Sequence, residues 1–169
     1  IRDSVASRGL GDVYKRQILQ DQLQAFINFD EPEIQQDQDS AGTIRRSLAE
    51  VMNSDVGIFR DEKGLQNARS AVSDLKARWD NIGVNNAGST YNMELTAIIE
   101  LGFMLAAAEV TIESALARQE TRGAHYRIDF PERDDDGWHK HVVATYSPDG
   151  PKLENKPVVV THWKQGEVC

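Results

Sequence analysis

The densest grouping of chemically capable side chains is Arg118-Gln119-Glu120-Thr121-Arg122-Gly123-Ala124-His125-Tyr126-Arg127-Ile128-Asp129. Guanidinium groups bind carboxylates through paired N–H donors. Arg118, Arg122, His125 and Arg127 are therefore candidate interface residues, able to grip carboxylates or backbone carbonyls of another polypeptide. The same arginines can complement the negative end of a helix, with Gly123 supplying a left-handed cap. The two uses are compatible. Asp134-Asp135-Asp136 lacks the alternating Asp-x-Asp-x-Asp-Gly ladder of a hard-cation site, so a solvated acidic turn, or an acid paired with Arg133, is expected. His139 and His141 could share a strand face, but no third metal ligand lies nearby. Arg45 and Arg46 read as a solvated helix face. The one cysteine, Cys169, excludes a disulfide scaffold and a Cys-based zinc site. No Gly-x-Gly-x-x-Gly follows a strand, no glycine-rich loop could cradle phosphate, and no Ser or Cys nucleophile has a recognisable setting. On its residues alone the chain has no catalytic, cofactor-binding or metal site.

A long helix must position the arginine cluster. Asn92 can cap it, and Met93 to about Arg118 contains no proline and many helix formers. Leu95, Ile98, Ile99, Gly102, Leu105 and Ala106 make a broad stripe, and Gly102, Ala106, Ala107 and Ala108 permit close approach of a neighbour, so this helix is expected at the centre of a bundle. Asp61 caps the helix before it, whose stripe Leu65, Ala68, Val72, Leu75 and Trp79 has spacings of 3 and 4, ending before Gly83. An earlier helix begins around Ser40 to Thr43, carries Ile44, Leu48, Val51 and Met52 on one face, and is broken by Gly57. Ser47 and Glu50 have capping-box spacing but lie inside that helix. Ile18 to Phe29 has helical spacing, and the acidic run to Asp39 reads as a linker. After Gly123, Val142–Tyr146 and Val158–Trp163 are β-prone runs joined through Ser147-Pro148-Asp149-Gly150, which predicts a hairpin.

The expected architecture is mainly α: a spectrin-repeat-like, up-down-up three-helix bundle over 43–124, preceded by a lead-in over 18–42 and followed by an extension over 125–169 with a short β-hairpin. Residues 1–17 carry a net +2 charge in an otherwise acidic chain. The string Ser7-Arg8-Gly9-Leu10-Gly11-Asp12-Val13-Tyr14-Lys15-Arg16-Gln17 looks like translated sequencing adaptor, so this segment is expected to be no part of the native fold and the chain to be a fragment of a longer protein. The composition, 40% hydrophobic and 27% charged, fits a soluble globular protein. A net charge of −8 argues against nucleic acid or an anionic membrane surface as partner. The run Ala97–Ala108, containing Glu100, is too short to span a bilayer, so no membrane insertion is expected.

The string Glu120-Thr121-Arg122-Gly123-Ala124-His125-Tyr126-Arg127, then Asp129-Phe130-Pro131-Glu132-Arg133-Asp134-Asp135, then Trp138 and His141, resembles the C-terminal signature of the succinate dehydrogenase/fumarate reductase flavoprotein subunit. Upstream, Ile44-Arg45-Arg46-Ser47-Leu48 with Met52, Val56-Gly57-Ile58-Phe59-Arg60, Asn92 with Leu95, Glu100-Leu101 and Ala108-Glu109 match in order. The likeness runs from about Thr43 to Trp163. Thr121 replaces the usual Ser, Tyr91 the usual Trp or Phe, and Met93 and Glu94 the usual Thr and Asp.

The resemblance implies the C-terminal helical domain of an FAD-dependent oxidoreductase that interconverts succinate and fumarate. FAD belongs to the full-length protein, in a flavin domain N-terminal to this part, and none is expected to bind this fragment alone. Implied partners are that flavin domain, an iron–sulfur subunit and a membrane anchor, on the cytoplasmic side of a bacterial inner membrane. L-aspartate oxidase carries a similar domain and is the alternative within the superfamily, although Ala124 and the Asp134-Asp135…Trp138…His141 continuation favour the succinate/fumarate branch. A free-standing helical interaction module is the alternative outside it.

Overall fold

The computed structural model describes residues 40–84, 91–148 and 150–159. The expected helix over Ile18–Phe29, its linker, residues 1–17 and the chain beyond 159 lie outside the described residues. Helix α1 (Ala41–Asp55) starts at Ser40, whose hydroxyl accepts the Thr43 N–H. Strand β1 (Phe59–Arg60) follows, then α2 (Glu62–Asp80), where Asp61 accepts from Gly64 N–H and Glu62 sits at the positive end of the helix dipole. Helix α3 (Met93–Ala117) is capped by Asn92, which accepts from Leu95 N–H. Strand β2 (Tyr126–Arg127), the short helix α4 (Asp135–Trp138) and strands β3 (Lys140–Thr145) and β4 (Lys152–Pro157) complete the order.

The three long helices form one core. Ile44 and Leu48 of α1, Leu65, Ala68, Val72 and Leu75 of α2, and Ile98, Leu101, Leu105, Ala108, Ile112 and Ala115 of α3 are all buried together. The buried stripe of α3 therefore repeats every three or four residues. Leu101 and Ala108 belong to it, while Ala106 faces solvent and Ile99 and Gly102 are only half-buried, so the broad stripe expected from sequence is narrower and turned. Ion pairs fix α2 antiparallel to α3: Arg69–Glu113 at 2.6 Å and Lys76–Glu109 at 2.8 Å. Further along, past Lys76, Trp79 Nε1 donates to the carbonyl of Ile98 at 2.8 Å. Gly102 does admit a close approach, that of the Trp79 ring: a Cβ there would lie 2.5 Å from Cζ2.

By length and composition α3 is apolar enough to cross a membrane, with a mean hydropathy of 1.8 over its best window. The apolar helix is thus longer than the run Ala97–Ala108 and continues to Ala117. In this fold its inner stripe is spent on the bundle.

The hairpin differs from the sequence expectation in its second strand. β3 and β4 pair antiparallel with Thr145 opposite Lys152 and Lys140 opposite Pro157, so β4 begins just after Gly150 and Val158 and Val159 lie beyond it. A short connection sets register from the turn outward. The ribbon consequently takes the polar run Lys152–Pro157 in place of the more β-prone valines.

Candidate interface site at the end of the bundle

Helix α3 ends at Ala117, and Arg118 is already extended. Gly123 is left-handed (φ 60°), but six residues beyond the helix end at Ala117, so it does not cap α3 as expected. It serves a tight turn instead, in which Arg122 and His125 exchange backbone hydrogen bonds at 2.9 and 3.1 Å. The chain then returns alongside β1, with Phe59 beside Tyr126 and Arg60 beside Arg127 in a parallel pair. Thr121 pins the loop: its Oγ donates to the Phe130 carbonyl at 2.9 Å and accepts the Arg127 N–H at 3.0 Å.

This path brings all four candidate residues together and gives them distinct environments. Arg127 is 0% exposed. Its Nε and Nη2 grip Asp129 at 2.7 Å each, Nη2 also reaches Glu62 at 3.0 Å, and Nη1 donates to the carbonyl of Ala115 at 2.8 Å. The guanidinium thus ties α3, α2 and the loop together. The direct contact with another polypeptide expected for Arg127 is corrected accordingly, because its donors are spent inside the domain. Asp129 also accepts the Glu62 N–H at 3.0 Å, and bonding from Arg127 holds its carboxyl down to about 2.

Glu120, not singled out from sequence, is the second centre. It is 0% exposed and accepts from Arg118, from Arg122 Nε at 2.8 Å and Nη2 at 3.0 Å, and from Asp134 N–H at 3.0 Å. Burial pushes its carboxyl up, yet these bonds outweigh burial and leave it below the ordinary range. Arg122 reaches on to Asp135 at 2.7 Å, which also binds Arg133 at 2.7 Å. Arg118 donates to the carbonyls of Trp138 at 3.1 Å and Lys140 at 2.6 Å, and lies 5.3 Å from the centre of the Trp138 ring. The clue to Glu120 in the sequence was its position between two arginines, each two residues away.

His125 bridges the loop and the end of α1. Its Nδ1 lies 2.9 Å from Arg60 Nη1, a permanent donor, so Nδ1 accepts; Nε2 is 3.3 Å from the Arg118 carbonyl and carries the proton. Arg60 Nε meanwhile donates to the carbonyls of Val56 and Gly57 at 3.1 and 2.7 Å, closing the end of α1. Burial lowers the imidazole's proton affinity and the surrounding arginines lower it further, overcoming the raising effect of the Arg118 carbonyl.

Beside Arg118 and Arg122 a groove of about 480 Å³ opens, lined also by Trp138, His139, Lys140 and His141. The two histidines reach its rim without converging on a carboxylate or thiol, and no set of three metal-ligating side chains occurs among the described residues. Asp134 caps α4 by accepting Gly137 N–H at 2.8 Å. A flavin dinucleotide does not fit what these residues offer. Its pyrophosphate needs a glycine-rich strand-to-helix turn, whereas the arginines here are already committed to Glu120, Asp129 and backbone carbonyls.

A family model described as the fumarate reductase flavoprotein C-terminal region matches residues 45–168. The chain belongs to this family. It is 38% identical over 128 residues to the fumarate reductase flavoprotein subunit of Haemophilus influenzae, covering 75% of this chain and 21% of that protein. It is 32% identical over 148 residues to the succinate dehydrogenase flavoprotein subunit of Rickettsia conorii, covering 86% and 25%. An E. coli quinol fumarate reductase chain superposes with a TM-score of 0.81 at 30% identity, over 89% of this chain and 25% of that one. The chain spans a fifth to a quarter of the relatives it matches. It has the fold and sequence of the C-terminal helical domain of fumarate reductase/succinate dehydrogenase flavoprotein subunits.

Proposed function

We propose that this domain works as a brace within an FAD-containing flavoprotein subunit that interconverts succinate and fumarate. In this reading the flavin, the substrate site and the catalytic groups lie on polypeptide N-terminal to it, and the domain alone is not catalytic. Electrons pass to an iron–sulfur partner and a membrane anchor, with the domain held at the cytoplasmic side of the inner membrane. The observation that carries the reading is the buried Arg127–Asp129–Glu62 and Glu120–Arg122–Arg118 network. It holds a loop in one conformation at the end of the bundle and leaves the outer edges of Arg118, Arg122 and His125 partly exposed. Such a preorganised edge suits charge-assisted contacts to a neighbouring domain or subunit. Arg127 supports it from inside. In the complete enzyme, Arg122→Ala should lower the yield of assembled, flavin-loaded complex; normal assembly and turnover would refute the role given to Arg122.

A further inference from the structure

The β1–β2 ribbon is built inside out. Its register sets Phe59 beside Tyr126 and Arg60 beside Arg127, so alternation gives one face to rings and the other to guanidiniums. The arginines turn inward, Arg127 fully buried and Arg60 against His125. The apolar residues turn outward: Phe59 is 66% exposed, Ile128 58% and neighbouring Ile58 65%. Phe59 and Tyr126 pack edge to face with centroids 5.2 Å apart, making one continuous surface. Two features mark it as a covered surface. Parallel strands are ordinarily buried on both faces, and a pair only two residues long has little stability of its own in water. A contiguous apolar patch rimmed by polar groups marks an interaction site.

We infer that the Phe59–Tyr126–Ile128 face is the seam along which this domain packs on the polypeptide preceding it in the complete flavoprotein subunit. The inference rests on the functional reading above and adds the surface involved. The occupant follows from length: the relatives are four to five times longer than the matched region, since it is 21% and 25% of them. The face itself carries no charge, so its counterpart is an apolar patch, as at the centre of permanent interfaces.

Hydroxyl-radical footprinting of the complete subunit and of this 169-residue chain tests it. Phe59 and Ile128 should label roughly fivefold or more slowly in the complete subunit, as exposure falls from about two-thirds to that of a core side chain, and the half-buried Tyr126 should slow with them by a smaller factor. Phe59→Lys in the complete subunit should restore fast labelling of Tyr126 and Ile128. If the complete subunit holds flavin but these residues label equally fast in both, the seam is wrong and the functional reading stands. If the complete gene product holds no flavin, the functional reading falls and the seam with it. Protection that develops in this chain alone with rising concentration would overturn the proposal in favour of a second copy.

Discussion

Arg127 and Asp129 form a two-point pair, Nε to Oδ1 and Nη2 to Oδ2, both at 2.7 Å, with the guanidinium sealed beneath the end of α3. A residue two positions from its partner thereby joins three elements, because the same guanidinium also holds the Ala115 carbonyl and Glu62.

Arg127→Ala should therefore be the most damaging single change at this end of the bundle. It would leave a cavity and an unpaired Ala115 carbonyl, costing about 3 kcal/mol or more, the scale for breaking a buried charged pair. Arg127→Lys should recover little, since one ammonium cannot reproduce the fork. Urea unfolding of the chain measures both.

The same pair sets an acid limit. The folded Asp129 carboxyl sits at about 2 against an ordinary 3.8, so the unfolded chain binds this proton first. The stabilisation is complete above about pH 4 and is lost as pH falls toward 2. Asp129→Asn should flatten the fall in urea midpoint across that window and lower the midpoint at neutral pH.

His125 acts at higher pH and in the same direction, but here the fold favours the neutral form of the group. Its folded proton affinity lies below the ordinary 6.5, so the neutral ring stabilises the fold fully above that value and the gain declines as pH drops below it. His125→Asn can keep an acceptor for Arg60 without a titrating ring. It should remove the pH dependence of stability between about 5 and 7, the range in which histidine titrates.

Two glycines should respond to alanine for different reasons. At Gly102 the backbone is helical, and alanine is favoured by about 1 kcal/mol, but the Trp79 ring blocks the Cβ. Overpacking of about 1–3 kcal/mol should win and lower the melting temperature. Gly123 has no atom within 4 Å of a Cβ but a φ of +60°. Gly123→Ala should cost about 1 kcal/mol through backbone strain alone, and Gly123→Asn less.

The helices were legible because their signals are local. Asp61 and Asn92 are the caps in both sequence and structure, the start expected around Ser40 to Thr43 falls at a Ser40 cap, and the α2 stripe matches its buried face. The α3 stripe was less legible because the helix is apolar on several sides, so periodicity could not select which residues face α2. The arginine cluster was visible as a group, but not its division of labour. Which arginine is buried depends on β1 pairing with β2 across 67 residues, from Phe59 to Tyr126, and on Arg60 arriving to hold His125. The second hairpin strand was misplaced because β propensity favoured the valines, whereas the turn at Ser147–Gly150 set the register.

The 169-residue chain alone should bind neither FAD nor succinate. Titration followed by flavin absorbance and by calorimetry should give no saturable signal; a yellow protein at stoichiometric flavin would show that the described residues do more than brace.

The most direct test of the central claim is the flavin content of the intact gene product, expressed from its own start codon and purified without added cofactor. The expected product is a polypeptide about four times longer, in line with relatives of which the matched region is 21–25%, carrying one FAD per chain. An intact product that begins close to Ile18, or a longer one free of flavin, would contradict it.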